Sequence, residues 1–224
     1  MATGTDLVPA PSGDGPGTAA VASGDAGDDG ERVETKGERT RRRLLEIAID
    51  KFGERGYRAT SVSEIAREAG LTQAAAYAYF SSKENLFDAA VDADAAATID
   101  RVRAMVAEVP ATQLVPMLLV FLLGGVDDHA LLKRVLQGLE PEALHRLVNL
   151  PALTDLAHLI EHKVRDAQAR GEVRDDLDAE QFANGAEAII VSLLLSVTQV
   201  EGSTEARRQL GVLSIFDTVL RPPA

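Results

Sequence analysis

The stretch TRRRLLEIAIDKFGERGYRATSVSEIAREAGLTQAAAYAYFSSKENLF, Thr40 to Phe87, decides how the rest of the chain is read. From about Glu38 to Arg55, Leu44, Ala48 and Phe52 recur every four residues with Leu45 and Ile49 beside them, which predicts a helix with one apolar face. Gly56 stands where a left-handed C-terminal cap is needed. Ser61-Val62-Ser63-Glu64 has the spacing of a capping box and opens a second helix, with Val62, Ile65, Ala66 and Ala69 inward. Gly70 ends it, Leu71 packs inward, and Thr72 is a good N-cap for a third helix from Gln73 to Phe80. Ser81-Ser82-Lys83-Glu84 repeats the box pattern and starts a fourth. Two short helices joined by a glycine-containing turn have the layout of a helix-turn-helix, which lays its second helix in the DNA major groove.

Charge is distributed in agreement with that layout. The chain has 224 residues and a formal net charge of −12. Residues 1–35 carry −6 and residues 91–224 carry −8, while residues 36–90 carry +2. The positive segment is the one with the helix-turn-helix pattern, and acidic flanks do not prevent DNA binding when basic groups face the phosphates. Residues 1–35, rich in Gly, Ala, Pro and Asp, cannot bury enough apolar surface to offset their ordering entropy, and read as a disordered tail.

The third helix is rich in alanine, whose small side chain allows close approach to base edges and thymine methyls. Gln73 can pair with adenine. Lys83 lies near a helix N-terminus, where backbone donors and a cation together hold a phosphate. Arg41, in the first turns of helix one, is a further phosphate candidate. Tyr77 and Tyr79 lie two apart on one helix and point in different directions. Tyr77 is assigned to a phosphate, whereas Tyr79 fits packing and phosphate contact equally.

The block resembles the DNA-binding domain of TetR-family transcriptional regulators. The matching elements are Thr40-Arg41, Phe52, Gly56-Tyr57, Thr60-Ser61-Val62, Ile65-Ala66, Ala69-Gly70-Leu71-Thr72, Tyr77, Phe80 and Ser82-Lys83-Glu84 with Leu86. They cover roughly a quarter of the chain. Ala74 and Ala75 depart from the pattern, since family members often carry glycine in this helix. With the resemblance, the expected DNA-facing set is Arg41, Thr60, Ser61, Thr72, Gln73, Ala74, Ala75, Tyr77, Tyr79 and Lys83.

Beyond Phe87 the pattern is helical throughout, with no alternating strand run. The expected fold is all-α: a disordered tail over 1–35, a three-helix helix-turn-helix domain over 36–82, and a helical ligand-binding and dimerisation domain over 83–224. No stretch is expected to be long and apolar enough to span a bilayer, Ala188 to Val197 coming nearest. Near the C-terminus, Ala183, Ala186, Ile190, Leu194 and Val197 form one apolar stripe, and Leu210, Leu213, Phe216 and Leu220 another. The resemblance implies that the last two helices of each subunit build a four-helix dimer interface, so Ala183, Ala186, Ile190, Leu194, Val197, Leu213 and Phe216 are assigned to it.

Met105, Met117, Leu118, Phe121, Leu122 and Leu136 are the candidate walls of an apolar ligand cavity. Few rings follow Phe87, which favours an aliphatic effector over flat aromatic cations. Glu187, inside a mostly apolar helix, is the candidate for a polar ligand group. The chain has no cysteine. His158 and His162 lie four apart without completing carboxylates, so no metal, cofactor or catalytic site is assigned. The expected protein is a homodimeric cytoplasmic DNA-binding regulator, a repressor released by a small molecule. The alternative is an all-helical ligand-binding protein with a vestigial DNA-binding domain.

Overall fold

The computed structural model describes residues 34–143, 146, 149–199, 211–212, 214–216 and 218–221, the side chain of residue 142 aside. The chain divides into Met1–Glu34 and Thr35–Ala224, and the second unit carries every element below. The disorder expected for the tail therefore falls, for residues 1–33, outside the described residues. Among the described residues all regular structure is helical.

Helix α1 spans Lys36–Ala59 and begins two residues before the predicted start. The reason is a capping box in Thr35-Lys36-Gly37-Glu38. The Glu38 amide donates to Thr35 Oγ1 at 3.2 Å and the Thr35 amide to Glu38 Oε2 at 2.8 Å. The axis breaks at Gly56, whose φ of 82° and ψ of 170° are open essentially to glycine alone. Helix α2 follows over Val62–Glu68, capped by Ser61, whose Oγ accepts from the Glu64 amide at 3.3 Å. The predicted reciprocal half of that box is diverted, because Glu64 instead accepts from Arg55 at 2.7 Å.

Helix α3 is Gln73–Tyr77, three residues shorter than predicted. Its end tightens, with the Ala78 and Tyr79 amides donating to the Ala75 and Ala76 carbonyls, and this turns Phe80 into the core. Helix α4, Lys83–Met105, is capped by Ser82 through the Asn85 amide at 3.0 Å. The predicted box on Ser81 does not form, since the Glu84 carboxylate accepts from the Tyr57 hydroxyl at 2.6 Å.

Helices α5 (Ala111–Gly125), α6 (Ala130–Leu136), α7 (Pro151–Ala169) and α8 (Ala179–Gln199) complete the bundle, with residues 211–220 helical where described. Asp178 caps α8, accepting from the Glu180 and Gln181 amides. α8 packs on α5, α6 and α7, α4 on α1, α5, α6 and α7, and α1 on α6 as well as on α2.

Against expectation, two stretches reach the length and apolarity of a membrane span: Ala111–Asp128 at mean hydropathy 1.4 and Ala179–Gln199 at 1.3. Both are helices of the bundle, and Leu114, Val115, Leu118, Leu119 and Leu122 on the first and Ala183, Ala186 and Ile190 on the second are buried within it.

That burial divides the residues assigned to the interface. Ala183, Ala186 and Ile190 are at most 1% exposed within one chain, and Leu194 lines an internal cavity. Val197 is half-buried, and Phe216 packs edge-on against Phe182 at 5.8 Å. Ala186 and Phe216 also border an open apolar groove on the outer side of α8. Leu213 and Leu210 lie outside the described residues.

Candidate nucleic-acid interface and cavity

The α2–α3 unit is built so that α3 is carried by its floor. Ala76 is buried beneath the helix while Thr72, Gln73, Ala74 and Tyr77 face solvent and Ala75 is partly covered. Thr72 accepts from the Ala75 amide at 3.2 Å, which fixes where the helix begins. Phe52, fully buried, meets Phe87 edge-on at 5.1 Å and Tyr57 at 6.2 Å, and this aromatic centre ties α1 to α4 under the reader.

Two cations flank α3, each seated on a ring. The Arg41 guanidinium lies 4.8 Å above Phe80, and Lys83 Nζ lies 4.4 Å above Tyr57. Rings preorganise such groups without neutralising them. The sequence reading missed these seats, because each cation lies far along the chain from its ring. The Tyr57 hydroxyl, first among the causes, holds the Glu84 carboxyl below its usual range, so the acid beside Lys83 is already engaged. Other acids of this domain pair with bases too: Glu64 with Arg55 and Glu68 with Lys51 at 2.9 Å.

The remaining expected residues are placed as follows. Ser61 is exposed, with its hydroxyl 3.1 Å from that of Ser63. Tyr77 is exposed, whereas Tyr79 is half-buried against the core. Thr60 is corrected: it is 2% exposed and its hydroxyl donates to the Gly56 and Lys51 carbonyls, so it stabilises the kink of α1 and presents nothing to a ligand.

The second feature is an almost wholly apolar cavity of about 50 Å3 between α4, α5, α6, α7 and α8, bounded by Ala95, Ile99, Leu132, Leu136, Leu156 and Leu194 among others, with Thr98 its polar wall residue. Of the predicted walls, Leu122 and Leu136 line it. Leu118 is packed in the core, Met117 and Phe121 are half-buried, and Met105 is 52% exposed. The prediction centred on α5 because it is the most apolar helix, but α5 contributes Leu122 while most of the wall comes from α4, α6, α7 and α8.

Leu150 and Leu153 are shared with a polar cleft of about 340 Å3 that contains His158, Glu161, Glu180, Asn184 and Glu187. His158 and His162 are both exposed. Burial pushes the Glu187 carboxyl above its ordinary range. The folded chain therefore binds that proton more tightly than the unfolded chain, a contribution complete in acid and lost as pH rises through the folded-state value. Glu187→Gln should match the parent's melting temperature near pH 4 and exceed it at pH 7. A pH-independent difference between the two would contradict this.

Residues 44–90 match the family described as bacterial regulatory proteins, tetR family. Over these residues the chain carries a TetR-family domain. It is 46% identical over 55 residues to the uncharacterised HTH-type transcriptional regulator YdgC of Bacillus subtilis, covering 25% of this chain and 28% of that protein. It is 46% identical over 56 residues to the HTH-type transcriptional repressor KstR2 of Rhodococcus jostii, covering 25% and 28%. The chain thus spans only about a quarter of the length of the curated relatives it matches. Across the rest the likeness is one of fold. A structure described as a TetR-family transcriptional regulator from Mesorhizobium loti superposes with a TM-score of 0.59 at 21% identity, over 84% of this chain and all of that one.

Proposed function

We propose that this TetR-family chain is a transcriptional repressor that binds a near-palindromic operator as a homodimer and releases it when a small apolar molecule enters the cavity. The observation that carries the reading is the outward face of α3, Thr72 to Tyr77, set on a buried floor between the ring-seated cations Arg41 and Lys83. Residues 36–82 act as the reader and 83–224 as the sensor and dimerisation region. Selecting bound duplexes from a random pool tests it: an enriched two-fold-symmetric sequence supports the reading. No enrichment over input would favour a ligand-binding protein with a vestigial reader.

Base and phosphate roles separate by side chain. Lys83→Ala and Tyr77→Phe should weaken binding to all duplexes alike, since phosphate contacts carry no base information. Gln73→Ala should change preference at particular base pairs, by about 1–3 kcal/mol for the best contact. A Lys83→Ala protein with altered preference and intact affinity would contradict these roles.

The dimer face supported by the fold is the outer side of α8. Gly185 and Ile189 are exposed there, and with Phe182, Val212 and Ile215 they border an open apolar groove of about 240 Å3. Ala186 and Phe216, both expected at the interface, line it too. Solvent-facing isoleucines in one groove make an association surface.

The effector matched to these walls is aliphatic, with a polar end reaching the Glu187 cleft. In a thermal-shift series, acyl or lactone-like compounds should raise the melting temperature, by mass action equivalent to about 2.7 kcal/mol at a hundredfold excess over Kd, and should weaken operator binding. Stabilisation by planar aromatic dyes alone would contradict the assignment.

A further inference from the structure

The kink of α1 is held by a residue from a distant element. Glu140, 3% exposed, lies four residues beyond α6. Its Oε2 accepts from the Tyr57 amide at 3.2 Å, and its Oε1 accepts from Arg134 Nε at 2.9 Å, with Arg134 Nη2 also 2.9 Å away. The carboxylate thus grips the corner where α1 turns into the reader. A Cβ on Gly56 would fall 2.5 Å from Glu140 Oε1 and 2.6 Å from Arg134 Nη2, so the corner fits against this ion pair with no space between.

The same short helix faces the cavity. Leu132 and Leu136 of α6 line it, and the Leu136 carbonyl accepts from Thr198 Oγ1 at 3.1 Å and Gln199 Nε2 at 2.7 Å at the end of α8. The start of α6 is fastened elsewhere. Asp94 of α4 contacts His129 Nδ1 at 2.7 Å and accepts from the Leu132 amide at 2.9 Å. A seven-residue helix is therefore tied to α4 at one end and to the reader at the other, with the cavity wall between.

We infer that Glu140 is a positioning residue that links the cavity to the reader directly through α6, in parallel with any movement of α4. Displacing Leu136 shifts the helix turn that carries Arg134 and Glu140. That loosens the Tyr57 amide and frees the α1–α2 corner. Only the DNA arm of its test rests on the repressor reading above.

Hydrogen exchange on the full chain without DNA gives the first arm. Leu136→Ala should speed exchange of the Tyr57 amide at least tenfold more than that of Val91 on α4. Glu140→Ala should speed Tyr57 similarly and make it indifferent to Leu136→Ala. Glu140→Gln, which keeps a carbonyl acceptor, should hold it slow. Equal acceleration at Tyr57 and Val91 would overturn the inference, because it would report general loosening alone. The second arm is a double-mutant cycle on the Kd for the selected operator. An effect of Leu136→Ala of fivefold or more should shrink below twofold in the Glu140→Ala background. Effects that simply multiply would overturn the link. A parent chain that binds no operator would sink the repressor reading and leave the exchange arm to decide.

Discussion

Gly56→Ala should lower stability by about 3 kcal/mol or more, the sum of a backbone strain of order 1–3 kcal/mol and a disrupted buried ion pair. For a chain of this size that corresponds to a drop in Tm of about 6–12 °C. The cause is double: φ is 82° with ψ at 170°, and the new methyl meets both Glu140 and Arg134. Gly70 supplies the control. Its φ is 76°, but a Cβ there meets nothing within 4 Å, so Gly70→Ala should cost only about 1–2 kcal/mol. Calorimetry on both variants decides. Equal Tm losses would mean that the clamp contributes nothing beyond backbone strain.

Ile189→Glu should separate the dimer while leaving the fold intact. Ile189 is 37% exposed and Ile215 58%, on the two sides of the groove along α8. A carboxylate placed there is harmless in water but uncompensated in an apolar interface. The dimer Kd should rise by about 100-fold, equivalent to roughly 2.7 kcal/mol. Operator affinity should fall with it, since one reader then acts alone. Leu194→Glu is a different case, because Leu194 lines the internal cavity and a charge there damages the subunit itself. Sedimentation showing a well-folded Ile189→Glu dimer at parental affinity would move the interface away from this face.

The reader was legible in the sequence because its signals are local. Caps at Ser61 and Thr72, the turn at Gly70 and the period-four stripe of α1 each act within one turn of chain, and each appears where the spacing put it, while the cap of α4 shifts by one residue to Ser82. The errors come from interactions between distant residues. Glu64 and Glu84 were assigned to caps but are taken by Arg55 and Tyr57. Thr60 looked like a surface hydroxyl, and only the kink at Gly56 reveals the carbonyls that use it. The apolar stripe of α8 was recognised, but periodicity does not say whether a stripe faces its own subunit or a second one. Glu140 left no signal: an acid beside Pro141 becomes meaningful only when the fold brings the Tyr57 amide to it across 83 positions.

The central claim is that two copies of this chain read one DNA duplex with α3. Footprinting the full chain on the selected operator, at about 50 and 200 mM salt, tests it most directly. The account predicts a two-fold-symmetric footprint with half-site centres about 34–36 Å apart or a multiple of that. Affinity should fall roughly 1,000-fold or more between the two salt concentrations, as counterions released by phosphate contacts require. An asymmetric footprint, or an affinity indifferent to salt, would contradict it.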